Sequence, residues 1–312
     1  MSLQQIGYIN LPPHNKPGGF DHAAVYRRRA RLYVAHTAND ALDVIDCAGE
    51  QYSHSIPNLP GVAGVLTSGE RGIIFTSNRN ENTVSIFTPD NEAGMVRVGV
   101  GTRPNGLAYD AATNRLLVAN IGDPEVAGSF TVSVTVSVVD VGGRALIGDI
   151  PVPGRTRWAV HDSSSGYFFV NIADPAQIAV IDAQKPRQVA RLIDVPVSGP
   201  HGLAMDAQGG RLFCACDGKK LVTLAAQTGA VQDIADISGV PDVIFFNAVR
   251  KHLYVAVGDP GCIDVFDTST MQRIATVPTE KGAKTLAVDA ERNTVYAFLP
   301  ESHRAVVFLD QA

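Results

Sequence analysis

Short apolar runs separated by small and polar turn residues recur along the whole chain. Seven segments share one layout: GFDHAAVYRRRARLYVAH (19–36), GVAGVLTSGERGIIFTSN (61–78), RPNGLAYDAATNRLLVAN (103–120), RTRWAVHDSSSGYFFVN (155–171), SGPHGLAMDAQGGRLFCACD (198–217), GVPDVIFFNAVRKHLYVAV (239–257) and GAKTLAVDAERNTVYAFL (282–299). Each reads as a turn residue, an apolar strand, a polar hairpin loop and a second apolar strand. Aligned on Asn105, the equivalent positions are Asp21, Ala63, Asn105, Arg157, His201, Asp242 and Lys284, spaced 42, 42, 52, 44, 41 and 42 residues apart. The long step contains an insertion at 123–129, DPEVAGS. A third strand follows in every copy, at 41–46, 83–88, 137–140, 178–182, 221–225, 262–267 and 305–310. It often ends in Asp with Gly or Thr just after, which is turn chemistry. A weaker fourth strand comes next, as in RVGVG (97–101) and RIATVP (273–278). Seven copies of a period near 42 predict an all-β fold, a seven-bladed β-propeller with four antiparallel strands per blade.

The seventh copy runs out of chain after its third strand. The run IGYINLP (6–12) has the pattern of a fourth strand with its trailing proline. Paired into the last blade, it closes the ring and removes an open sheet edge. With no linker or low-complexity tract in the chain, residues 1–312 are expected to form one propeller domain.

The runs LYVAH, LLVAN and LYVAV, each followed by VID, VVD or VFD and a turn, resemble the YVTN repeats of seven-bladed propellers. The resemblance spans nearly the whole chain. It implies the fold strongly and the function weakly, because propellers host enzymes, binding modules and scaffolds alike. Propellers of similar architecture include lactonase and muconate-cyclising enzymes, lyases of the virginiamycin type, and non-enzymatic surface or nucleic-acid-binding proteins.

Composition narrows the function. Apolar residues make up 45% and charged residues 18%, so the chain is globular. The net charge of -5 gives no basic excess for wrapping nucleic acid or holding an anionic membrane. No apolar stretch approaches the length of a membrane span. Cys47 and Cys262 stand alone, and Cys214 and Cys216 share one face of a strand; neither spacing suits a zinc knuckle or a redox turn. Four buried free thiols are the expectation, in a reducing compartment. The N-terminus shows no charged segment followed by an apolar one, so a cytoplasmic protein is expected. The absence of Asn-x-Ser/Thr sequons agrees with that.

The innermost strand of each propeller blade lines the central channel, and the position aligned on Asn105 precedes that strand. Asp21, Asn105, Arg157, His201, Asp242 and Lys284 should therefore crowd one mouth, with Ala63 the only apolar member. A second ring at the end of the next strand comprises His36, Asn78, Asn120, Asn171, Cys216, Val257 and Leu299. Its His and Asn members belong to copies one to four, which directs a ligand toward those blades. Arg157 and Lys284 suit a carboxylate or phosphate, Arg through a planar fork. Asn78, Asn105, Asn120 and Asn171 suit a carbonyl or hydroxyl. His201, Asp242 and Asp21, with His36 among the imidazoles, are the candidate proton carriers. The same residue types serve the lactonase and muconate-cyclising propellers, so the resemblance points to Arg157 and His201 as site residues. The alternative is charge pairing across a wet channel.

No cofactor is expected. An oxygen-rich set of Asp21, Asn105, Asn120, Asn171 and Asp242 would suit a divalent cation, and His36 with His201 a transition metal, but Arg157 and Lys284 would repel either. Trp158 is expected in packing and His22 at the mouth or in a turn. His14, His54, His252 and His303 are expected on the surface. Walker, GxGxxG, GxSxG and HExxH patterns are absent. Two functions remain: a protein that binds or converts a small anionic metabolite by lactone hydrolysis or a lyase/isomerase step, or a non-enzymatic scaffold that docks a protein or nucleic acid on its rim. Of these partners nucleic acid is the least expected, given the net charge, and no membrane is expected.

Overall fold

The computed structural model describes residues 3–123 and 134–311. Within them 28 strands form seven four-stranded antiparallel sheets, a seven-bladed β-propeller. Positions 124–129 of the expected insertion lie outside the described residues.

Six blades each take four consecutive strands from the channel outward. In blade 1 these are Phe20–Tyr26, Arg31–His36, Ala41–Asp46 and Gln51–Ile56. Blade 7 is built from both ends of the chain. Its inner strands are Thr285–Asp289, Thr294–Leu299 and Arg304–Asp310, and its outer strand is Leu3–Asn10. The two ends pair from Leu3 opposite Asp310 to Asn10 opposite Arg304. Leu3, Ile9 and Leu11 are buried there, so the N-terminal strand contributes core as well as hydrogen bonds.

Side chains on a strand point alternately to the two faces of its sheet, and each blade has a neighbour on both faces. The second and third strands are therefore buried along most of their length and are rich in apolar residues; all six residues of His252–Val257 are buried. The core is divided into seven clusters, each shared by two adjacent blades. Leu117 and Val138 of blade 3 meet Phe168 and Ile181 of blade 4, and Leu32 and Ile45 of blade 1 meet Ala287 and Phe298 of blade 7. His252, expected on the surface, lies in this buried layer with Nδ1 2.7 Å from Asp310 Oδ2. The four cysteines are buried and unpaired.

Six inner strands carry a register slip near their start. It falls between Phe20 and Ala23, Val62 and Val65, Pro104 and Leu107, Thr156 and Ala159, Pro200 and Gly202, and Pro241 and Ile244. The position aligned on Asn105 sits inside every one. A bulge releases a residue from the ladder and re-aims its side chain. Here it turns Asp21, Asn105, Arg157, His201 and Asp242 toward the axis. Lys284 immediately precedes the shorter inner strand of blade 7.

Close approach of neighbouring inner strands fixes the residue after the bulge in three blades. A Cβ on Gly64 would stand 2.1 Å from the Asn105 carbonyl oxygen. On Gly106 it would stand 2.5 Å from that of Arg157, and on Gly202 2.5 Å from that of Asp242. In blades 1 and 4 the same position carries His22 and Trp158.

Candidate ligand site at the channel mouth

The bulge residues form a chain of charge contacts around the mouth. Arg79 Nη1 lies 3.0 Å from Asp21 Oδ2, and its other terminal nitrogen donates to Asn105 Oδ1. Lys284 Nζ lies 3.1 Å from Asp242 Oδ2, and Asp242 Oδ1 lies 3.3 Å from His201 Nε2. His201 Nδ1 donates to Asp217 Oδ1 at 2.7 Å. Arg157 stands beside this pair, with Nη1 3.4 Å from His201 Nε2 and Nη2 3.7 Å from Asp217 Oδ2. Asp21, Arg79, Arg157, His201 and Asp242 are part-buried, whereas the Lys284 side chain is 52% exposed.

These contacts set the protonation of the site. Burial opposes the charge on His201, but hydrogen bonds to Asp217 and Asp242 prevail and raise its pKa. An imidazole with a carboxylate at each nitrogen is held as imidazolium, donating on both sides. Burial likewise opposes charge on Asp242, yet His201 and Lys284 hold its pKa well below the usual carboxylate range. Lys284 is raised, chiefly by Asp242.

The mouth has a floor. His22 is buried beneath it, its Nε2 3.4 Å from Asp21 Oδ1. Burial lowers its pKa in spite of Asp21 and Asp242, so this imidazole is neutral. Its ring packs on Trp158 with centroids 4.0 Å apart, and Trp158 meets Phe245 edge-on at 6.4 Å. Blades 1, 4 and 6 thus plug the channel directly below the charged ring.

The second ring lies elsewhere. His36, Asn78, Asn120 and Asn171 are fully buried within the blades. Asn78 Nδ2 donates to Thr83 Oγ1 at 3.0 Å and Ser85 Oγ at 2.9 Å, and Asn120 Nδ2 to Thr135 Oγ1 at 3.0 Å and Ser137 Oγ at 2.8 Å. His36 spans Asp43 Oδ2 and His14 Nδ1, each at 2.7 Å. Asn171 Nδ2 donates to the backbone carbonyls of His201 at 3.0 Å and Gly202 at 3.2 Å, which fixes the bulge that aims His201. A ligand at the mouth meets the first ring and not this one.

Four charged residues of the mouth escaped the alignment on Asn105. Arg79 and Asp217 each follow a second-ring position, Asn78 and Cys216. Strand alternation turns the next residue away from the blade interior, and reading that third register would have found both. Arg103 and Arg155 stand two residues before the bulge, where Gly19, Gly61, Gly199 and Gly282 occupy four sister repeats. Arg103 takes the left-handed backbone, with φ of 54°, that Gly61 and Gly199 also adopt. Burial, then the charges of Arg157, Arg103 and Arg79, lower the pKa of Arg155, which places four guanidiniums within one another's field. Arg79, Arg157 and Lys284 pair directly with Asp21, Asp217 and Asp242, and Arg103 and Arg155 add their charge to the same field. Among the described residues no group of three or more His, Cys, Asp or Glu side chains is arranged to hold a metal ion. Among them, too, no helix is long and apolar enough to cross a membrane.

No protein-family model matches the chain, and no curated protein does. Solved structures do resemble it. The Kuenenia stuttgartiensis hydrazine synthase aligns with a TM-score of 0.78 at 13% identity, covering 96% of this chain and 97% of that one. A chain of a mitotic checkpoint complex aligns with a TM-score of 0.81 at 11% identity, covering 98% and 91%. At such identities the likeness is one of fold, and the seven-bladed β-propeller is what these comparisons show.

Proposed function

We propose that the chain acts as one propeller domain whose charged mouth binds a small anionic metabolite. The observation that carries this reading is the convergence of Arg79, Arg157, His201 and Lys284 on one mouth of a chain whose net charge is -5. Arg157 makes only long contacts, 3.4 Å from Nη1 to His201 Nε2 and 3.7 Å from Nη2 to Asp217 Oδ2, so its terminal nitrogens retain donor capacity for an incoming oxyanion. Arg157 is the anchor, since a guanidinium offers a rigid fork and desolvates more readily than an ammonium. Arg79, Lys284 and Asn105 complete the contacts, and Asp21 and Asp242 hold the cations in place. The plug of His22, Trp158 and Phe245 gives the site a closed bottom, as a small-molecule site needs. The four buried thiols fit a reducing, cytoplasmic setting.

His201 favours a second step at the same place. Held as imidazolium beside Arg157, it is a proton donor to whatever Arg157 binds. Lactone hydrolysis or a lyase/isomerase reaction is the chemistry that the likeness to YVTN-type propellers implies for such a residue set. A thermal-shift screen of carboxylates, phosphates and lactones tests the binding, because a ligand of the native state raises its apparent stability. Stabilisation of the parent and not of Arg157→Ala is expected. Absence of any stabilising anion overturns the reading.

The competing reading is a scaffold that docks a protein on its rim. Large exposed apolar residues do lie on the outer strands, among them Tyr8, Ile147, Leu192, Ile234 and Ile274. They are spread one or two to a blade and do not favour one docking face.

A further inference from the structure

Below the plug the channel opens again into a cavity of about 540 Å³. Six blades wall it through residues further along the inner strands, including Leu66, Tyr109, Val160, Met205 and Phe246. Its rim is set by the hairpin loops at the far end of the channel, at Gly69, Glu70 and Ala111. No residue of the charged ring lines it. His22, Trp158 and Phe245 form its inner end, so these three rings lie between the chamber and the charged mouth.

We propose that this second chamber is a binding site for a small neutral molecule with an apolar or aromatic body and one hydrogen-bonding group. Its volume falls in the range of small-molecule sites, roughly 300–1,000 Å³. The charge balance is the reverse of that at the mouth: the only residue of fixed charge on the lining is Glu70, an acid at the rim. An anion is repelled there and gains no cation inside.

The hydrogen-bonding group has a specific partner. His161 lines the chamber, its side chain only 9% exposed, and its Nε2 is buried without a hydrogen bond. The nearest carboxylate oxygen, Asp110 Oδ1, is 3.7 Å away and already accepts the Ala112 N–H at 3.0 Å. Burial lowers the pKa of His161 despite Asp110 and Asp162, so the ring is neutral; Nε2 is turned to Asp110, and Nδ1, which is not fully buried and makes no hydrogen bond, is the nitrogen it offers to a ligand.

Trp158 is the only tryptophan of the chain and forms part of the chamber's inner end, so its emission reports on occupancy. The test is titration of the intact protein with the neutral fluorophore N-phenyl-1-naphthylamine, followed by Trp158 quenching and sensitised probe emission. A saturable one-to-one isotherm is expected, with affinity at least about tenfold above that for the anionic relative 1-anilinonaphthalene-8-sulfonate. Ala24→Phe and Val160→Phe each fill the chamber from a different blade, and either one, if folded, should weaken the neutral probe by about tenfold or more. Non-saturable binding, tighter binding of the sulfonate, or filled variants that bind like the parent would overturn the proposal. If both variants misfold, the preference between the two probes on the parent protein decides the matter.

Discussion

His201 donates from Nδ1 to Asp217 at 2.7 Å, although the two residues lie sixteen positions apart and at opposite ends of an inner hairpin. This contact leaves Nε2 for Asp242 and the ligand side of the mouth. Asp217→Asn removes one of the two carboxylates that keep the ring charged. The His201 pKa should fall, and each unit lost corresponds to about 1.4 kcal/mol of differential stabilisation. Titration of the His201 ring by NMR measures it; an unchanged midpoint would mean that Asp242 alone fixes the charge.

Arg157→Ala should remove anion-induced thermal stabilisation. Arg157→Lys keeps the charge but loses the fork, and should retain only part of it. His201→Gln should weaken binding only to the level of the parent with His201 deprotonated, and abolish any turnover. Equal behaviour of all three and the parent would make the ring a structural charge cluster.

The raised pKa of His201 fixes the pH dependence. A group whose folded pKa lies above its unfolded value stabilises fully below the unfolded pKa, about 6.5 for histidine, and that contribution is lost as pH rises through the folded value. Anion binding follows the same sign, because deprotonation removes a positive charge from the mouth. Thermal shifts by phosphate or citrate, measured from about pH 5.5 to about pH 9, should decline on the alkaline side of 6.5. His201→Gln should flatten that decline.

Removing residues through Pro12 should destabilise the whole ring. The truncation exposes the edge of Arg304–Asp310 and deletes three buried aliphatic side chains, Leu3, Ile9 and Leu11. Each is worth roughly 1.5–3 kcal/mol of burial. Calorimetry should show a large fall in melting temperature or no folded protein, whereas an unchanged melt would place closure elsewhere.

Gly106→Ala should cost roughly 1–3 kcal/mol, because its Cβ would press on the Arg157 carbonyl oxygen and neither backbone can yield without moving the bulge. The same change at Gly148, an outer-strand position with no atom within 4 Å of an added Cβ, should be close to neutral. Urea denaturation compares the two.

The fold was legible because both faces of every blade are buried by the same kind of neighbour. The seven copies therefore keep one apolar pattern and one spacing, and even the closing strand shows its alternation in Ile6 to Pro12. The site was legible in part. Asp21, Asn105, Arg157, His201 and Asp242 share a repeat position, and propeller symmetry carries that position to one radius. What alignment does not give is which way a side chain turns. His36, Asn78, Asn120 and Asn171 are equally periodic, but their strand turns them into the blade, where they satisfy neighbouring polar groups. Arg79 and Asp217, one residue later, face the other way. The bulges that aim the first ring leave no compositional mark beyond the glycines at 64, 106 and 202, which also have an ordinary reading as turn residues.

The pairing of Leu3 with Asp310 also imposes an order in time. Synthesis is vectorial, at roughly 5–20 residues per second, so the strand Leu3–Asn10 leaves the ribosome some 15–60 s before its partner exists. Blades 1 to 6 can form one after another from contiguous chain during that interval. The earliest segment must meanwhile stay unpaired and be captured last, across the longest loop in the molecule. Emergence of Arg304–Asp310, and not the making of any earlier blade, is therefore the event that turns an open arc of sheets into a ring.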